Sequence, residues 1–156
     1  MCMGAILGGR LHAKMRCMFT WIVSHPLAYP ALEVLHIVGI ALLLGNLALF
    51  ELRVWGVGRE LPLAALARLS LRVALGGFGI IGASGLLMFA GQPAELLANR
   101  AFVVKMGLVL LAGLNAALFH ARGSLQRLDR SARALTVVSL GLWLAVIICG
   151  RWIAYV

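Results

Sequence analysis

Apolar and polar positions along this chain fall into long blocks rather than a period of two. Residues 31–50 form the first apolar block, bounded by Pro26 and Pro30 on one side and by Glu51 and Arg53 on the other. About 20 residues rise roughly 30 Å as a helix, which is the thickness of a bilayer's hydrocarbon core. Three further blocks follow at residues 73–90, 101–119 and 134–156. Polar stretches separate them, and such stretches cannot stay unsatisfied in lipid. Gly91-Gln92-Pro93 closes the second block, and Gly123-Ser124 sits among arginines after the third. The pattern predicts an all-α, polytopic membrane protein: an antiparallel four-helix transmembrane bundle, with a short interfacial helix at residues 18–23 leading into it. Residues 18–156 then make one domain, and residues 1–17 are read as an N-terminal extension that can stay disordered.

Composition narrows the classes further. Of 156 residues, 63% are apolar and 12% charged, with 14 Lys and Arg against 5 Asp and Glu for a formal charge of +9. A soluble domain carries about 45–50% apolar and about 25% charged residues, so a water-soluble enzyme is excluded. The basic surplus belongs to arginines in short loops facing anionic lipid, and no nucleic-acid partner is expected. Cys2, Cys17 and Cys149 show no CxxC and imply no disulfide framework. Soft ligands in the tail (Met1, Cys2, Met3, His12, Met15, Cys17, Met18) are of the kind Cu(I) prefers but form no recognised spacing. The basic stretch at Arg10, Lys14 and Arg16 precedes too short an apolar core for a cleaved secretory signal.

Orientation follows from lysine and arginine counts. Loops 51–72 and 120–133 carry eight arginines, against six cations on the other side and three once the residues before Met18 are set aside. That bias predicts cytoplasmic arginine-rich loops in a bacterial inner membrane.

Polar residues inside spans carry the chemistry, because each is expensive unless it meets a partner or a water-filled cavity. Helical rise puts His36, Lys105 and Arg151 at about 6–8 Å below one boundary, with Glu33 one turn from His36. The expected cluster is therefore Glu33, His36, Lys105 and Arg151, with Glu33 and Arg151 as its ion pair. Asn46 and Asn115 fall about 20 Å from the same boundary and form an expected interhelical pair. His36 and His120 lie about 20 Å apart along the normal and cannot both ligate one haem. Glycines recur through the second block from Gly76 to Gly85, which implies close approach to the backbone. Either a neighbouring helix or a flat cofactor satisfies that; in the second case His36, Gly79 and Gly82 would hold haem b or a quinone.

The run Leu32-Glu33-Val34-Leu35-His36-Ile37-Val38-Gly39, with Leu49-Phe50-Glu51-Leu52-Arg53 after it, resembles the first span of a domain-of-unknown-function family of four-helix bacterial membrane proteins. Leu114-Asn115-Ala116-Ala117-Leu118-Phe119-His120 and the closing Gly150-Arg151-Trp152-Ile153-Ala154-Tyr155 extend the likeness over about residues 20–156. The layout is also distantly similar to copper-resistance D membrane domains. The resemblance implies the architecture and no particular activity.

Three function classes follow. The first is an accessory or structural membrane component with lipid, other membrane subunits or further copies of itself as partners. The second is a haem b or quinone redox protein, and the third a transporter of a metal ion or small solute. Catalysis is weakest, since no Ser/His/Asp order, phosphate loop or di-metal spacing occurs.

Overall fold

A computed structural model describes residues 25–155. The expected interfacial helix at 18–23 and the 1–17 extension lie outside the described residues.

The helices are α1 (Ala28–Trp55), α2 (Leu63–Gly91), α3 (Pro93–Ala98), α4 (Arg100–Ala121), α5 (Ser124–Arg127) and α6 (Arg130–Trp152), and there is no strand among the described residues. Four of them, α1, α2, α4 and α6, are long and apolar enough to cross a membrane. The protein is therefore an all-α, multi-pass membrane protein built as a four-helix bundle.

Local signals set the helix ends. Pro30 sits in the first turn of α1, where its missing N–H costs no helical bond. Gly56 ends α1 in the left-handed region at φ 102°, with its N–H on the Arg53 carbonyl and the Val57 N–H on the Leu52 carbonyl. That double bond is the Schellman arrangement, and glycine supplies the φ that a side chain would resist. The Arg53 guanidinium then holds the loop, donating to the Leu61 and Arg59 carbonyls. Asn99 caps α4 by accepting from the Phe102 N–H, and Asp129 caps α6 by accepting from the Ala132 N–H.

Helices α1 and α2 exceed their predicted spans by the most. The 28 residues of α1 give about 42 Å of helix, so its ends project past the hydrocarbon layer. Helix α2 begins at Leu63, ten residues ahead of 73, because Arg68 and Arg72 are exposed while Ala67, Ser70 and Ala74 on the same turns are buried. This first part of α2 is amphipathic, and its charges mark one face of a helix.

The tightest contact is between α1 and α2. A Cβ at Gly39 would stand 2.9 Å from the Gly77 carbonyl oxygen, and one at Gly77 would stand 2.8 Å from both the Gly39 carbonyl oxygen and the Leu43 nitrogen. The two backbones touch where neither residue has a side chain. Gly77 and the buried small residues Ala67, Ser70, Ala74 and Ser84 form one stripe on α2, spaced three, four and seven apart. The small residues of the second block thus meet a helix. Gly76, Gly79 and Gly82 meet nothing within 4 Å and lie off that stripe.

Helices α4 and α6 pack as the second close pair, and aromatic contacts join the pairs. Phe50 meets Phe119 edge to face at 5.8 Å, Phe78 meets Trp143 at 6.2 Å, and Phe89 stacks on Phe102 at 5.7 Å. The buried core of Phe50, Val54, Ala67, Phe119 and Ala132 lies at the arginine-rich end. Elsewhere large apolar side chains such as Leu75, Leu86 and Leu110 face outward, as lipid solvent allows.

Candidate functional site

Polar side chains gather at two levels of the bundle. In the half of the bundle nearer the Pro93 turn, His36 on α1 reaches Ser84 on α2, Nδ1 to Oγ, at 2.9 Å. The Ser84 Oγ also lies 2.7 Å from the Ile80 carbonyl oxygen of its own helix, so the serine links the imidazole to the α2 backbone. The ring lies against Gly85, where a Cβ would come within 3.4 Å of Cε1. Across the bundle, the Lys105 ammonium lies along α6, with Nζ 3.5 Å from the place a Gly150 Cβ would take. Lys105 lies near both His36 and Cys149.

Of the expected four-residue layer, the structure brings His36 and Lys105 to one level and leaves the other two outside. Glu33 is exposed, with the Tyr29 hydroxyl as its electrostatic neighbour, and makes no ion pair with Arg151. Arg151 is exposed and donates to the Tyr155 hydroxyl at 2.7 Å, its guanidinium 5.1 Å from that ring's centroid. Both charges sit at helix ends, where reaching toward water costs less than desolvation beside a partner. Gly79, two residues from Gly77, is rotated about 200° from the face that meets α1 and His36. His36 and Gly79 therefore point to opposite sides of α2 and do not frame one flat ligand, while Gly82 is turned about 140° from that face.

Asn46 and Asn115 share a level without sharing a bond. Asn46 donates to the Leu42 carbonyl of its own helix at 2.8 Å. Asn115, buried, donates to the Leu135 carbonyl of α6 at 3.0 Å. Helical rise fixes height, but rotation about each axis decides the partner.

The second level, at the arginine-rich end, centres on a residue that the block pattern treats as a boundary. Glu51 is 2% exposed, lies beside Ser139 of α6, and its Oε2 has no partner. Beside it is a cavity of about 40 Å³ with Asn115, His120, Thr136 and Ser139 in its wall. The sequence signal for this burial is Gly56: a left-handed helix stop there carries α1 a full turn past Glu51. Near it Trp55 donates through Nε1 to the Thr136 hydroxyl at 2.8 Å, tying α1 to α6.

No group of three or more His, Cys, Asp or Glu side chains able to hold a metal occurs among the described residues. No protein-family model, curated protein or solved structure matches this chain.

Proposed function

We propose that this chain is an accessory component of a bacterial inner membrane, a helical scaffold whose polar residues lock four spans together and whose apolar faces meet lipid and other membrane subunits. The observation that carries the reading is where the intramembrane polar groups spend their hydrogen bonds. His36 to Ser84 joins α1 to α2, Trp55 to Thr136 joins α1 to α6, and Asn115 to the Leu135 carbonyl joins α4 to α6. At the chain's far end Asn99 donates to the Ile153 carbonyl, closing the start of α4 on the end of α6. Polar groups placed as interhelical ties serve a lipid-embedded bundle well, because apolar side chains gain packing contacts but no hydrophobic transfer energy on leaving lipid for one another. The resemblance to four-helix bacterial membrane proteins belongs to the same reading.

Ser84→Ala, Asn115→Leu and Thr136→Val are each expected to lower bundle stability by about 0.6 kcal/mol, read by detergent unfolding. The purified protein, expressed with ample haem, is expected to show no Soret band. A Soret band that disappears in His36→Ala would overturn the scaffold reading in favour of haem.

The proposed orientation places the arginine-rich loops in the cytoplasm. Cysteines introduced at Gly58 and Gln126, in a background with the native cysteines changed to serine, are expected to resist an impermeant maleimide in intact cells. Cysteines at Leu27 and Tyr155 are expected to react. Labelling of Gly58 and Gln126 positions from outside would reverse the orientation, and labelling of only one end of the chain would break the four-span count.

A further inference from the structure

The wall of the Glu51 cavity has more hydrogen-bond acceptors than donors. Asn115 spends an Nδ2 hydrogen on the Leu135 carbonyl, and the Thr136 hydroxyl donates to the Arg133 carbonyl while accepting from Trp55. His120 Nδ1 lies 2.8 Å from the Ala116 carbonyl, which can only accept, so that nitrogen is the donor. Ser139 lies in the same wall beside the Glu51 carboxyl group. What remains is Glu51 Oε2, wholly buried and unpartnered, in a wall that Asn115, His120 and Ser139 share.

An unpaired carboxylate sealed in protein costs several kcal/mol unless positive charge or protons reach it. No lysine or arginine lines this cavity; of the other lining residues, His120 alone is titratable. No side chain of α2 lines it, and α6 contributes Thr136, Ser139 and Leu135, none charged. The volume of about 40 Å³ holds a water-sized species or two, since about 10–15 Å³ suffices for one. A single carboxylate balances a single charge, whereas a divalent ion would leave a buried surplus. The available ligands are carboxylate, amide and hydroxyl oxygens, which suit a hard ion.

We propose that Glu51, Asn115 and Ser139 form a site for one small monovalent cation, a proton or a sodium ion, admitted from the arginine-rich side past the exposed His120. The site goes beyond the scaffold role, because the polar ties between helices need no ion and would stand without one.

Two measurements on the full chain in lipid test it. The first is the infrared difference spectrum between wild type and Glu51→Gln, which isolates the carbonyl stretch of a protonated Glu51. The second is modification by dicyclohexylcarbodiimide, which reacts with protonated carboxyl groups, located by mass spectrometry on wild type alone and so independent of whether the variant folds. The expected result is an acid band absent from Glu51→Gln and an adduct on Glu51, both diminishing as pH rises. If sodium chloride but not choline chloride also suppresses band and adduct, the occupant is sodium; if neither salt acts, it is the proton. Exposed Glu60 and Glu95 serve as internal controls whose labelling no salt should protect. Absence of the band and of the adduct at every pH, with no sodium-specific gain in thermal stability, would overturn the site.

Discussion

Gly77→Leu is expected to separate α1 from α2 and to lower bundle stability by about 3 kcal/mol, the upper end of what overpacking costs in a closed core. The clash falls on backbone, which cannot turn aside as a side chain can. A Cβ at Gly77 would sit 2.8 Å from the Gly39 carbonyl oxygen and from the Leu43 nitrogen, and 3.0 Å from the Leu42 Cβ. Gly39→Leu should do the same from the other side, since its Cβ would meet the Gly77 carbonyl oxygen at 2.9 Å. The comparison that gives this force is Gly79→Leu, on the same helix two residues away, where a Cβ meets nothing within 4 Å. That variant should be neutral or gain up to about 1 kcal/mol from relief of glycine's backbone entropy. Detergent unfolding followed by tryptophan fluorescence measures all three. Equal stability of Gly77→Leu and Gly79→Leu would mean that the helices do not cross at Gly39 and Gly77.

This contrast also shows what block lengths and spacing can and cannot report. A recurrence of glycine in the second apolar block points correctly to close backbone approach, yet it does not say which glycines make it. Gly77 does, through a stripe with Ala67, Ser70, Ala74 and Ser84, and alanine and serine in that stripe are as small as the packing needs. Gly79 and Gly82, the ones that a cofactor reading would favour, lie off that face. The four spans themselves are legible because lipid demands long apolar runs. Their ends are less so: Arg68 and Arg72 look like loop charges, but on an amphipathic turn of α2 they point outward while the same turns bury Ala67 and Ser70.

Depth arithmetic meets the same limit at the candidate sites. It places His36 level with Lys105 and Asn46 level with Asn115, because height depends only on residue number and rise. It carries no azimuth, so it does not foresee that Asn46 bonds its own helix or that Arg151 folds back onto Tyr155. Glu51 escapes for a related reason. A glutamate two residues before an arginine at the end of an apolar block reads as the water boundary, whereas Gly56 sets the helix end and the α6 face with Ser139 closes over the carboxyl. Charged residues one turn inside a glycine stop are therefore better treated as candidates for burial.

The remaining large effect concerns the aromatic core at the arginine-rich end. Phe119 on α4 is 6% exposed and meets Phe50 on α1, 4% exposed, edge to face at 85°. The pair joins α4 to α1 by side chains and so helps fasten the two halves of the bundle, which also meet where α1 packs on α6. In a soluble core, Phe→Ala costs about 3–5 kcal/mol, partly from lost transfer out of water and partly from the cavity left behind. With lipid as the reference the transfer part falls away, while lost dispersion contacts and the edge-to-face geometry remain. Phe119→Ala is therefore expected to cost about 2–3 kcal/mol, and Phe119→Leu less than half of that. Leu110→Ala, at a position 75% exposed on the same helix, should cost next to nothing because lipid refills the space. The void from Phe119→Ala opens beside Glu51, since Phe50 and Phe119 both line that cavity. The variant should thus speed carbodiimide labelling of Glu51 as it loosens the bundle. If Phe119→Ala unfolds no more readily than Leu110→Ala, the aromatic pair does not fasten the halves, and the burial of Glu51 would need another support.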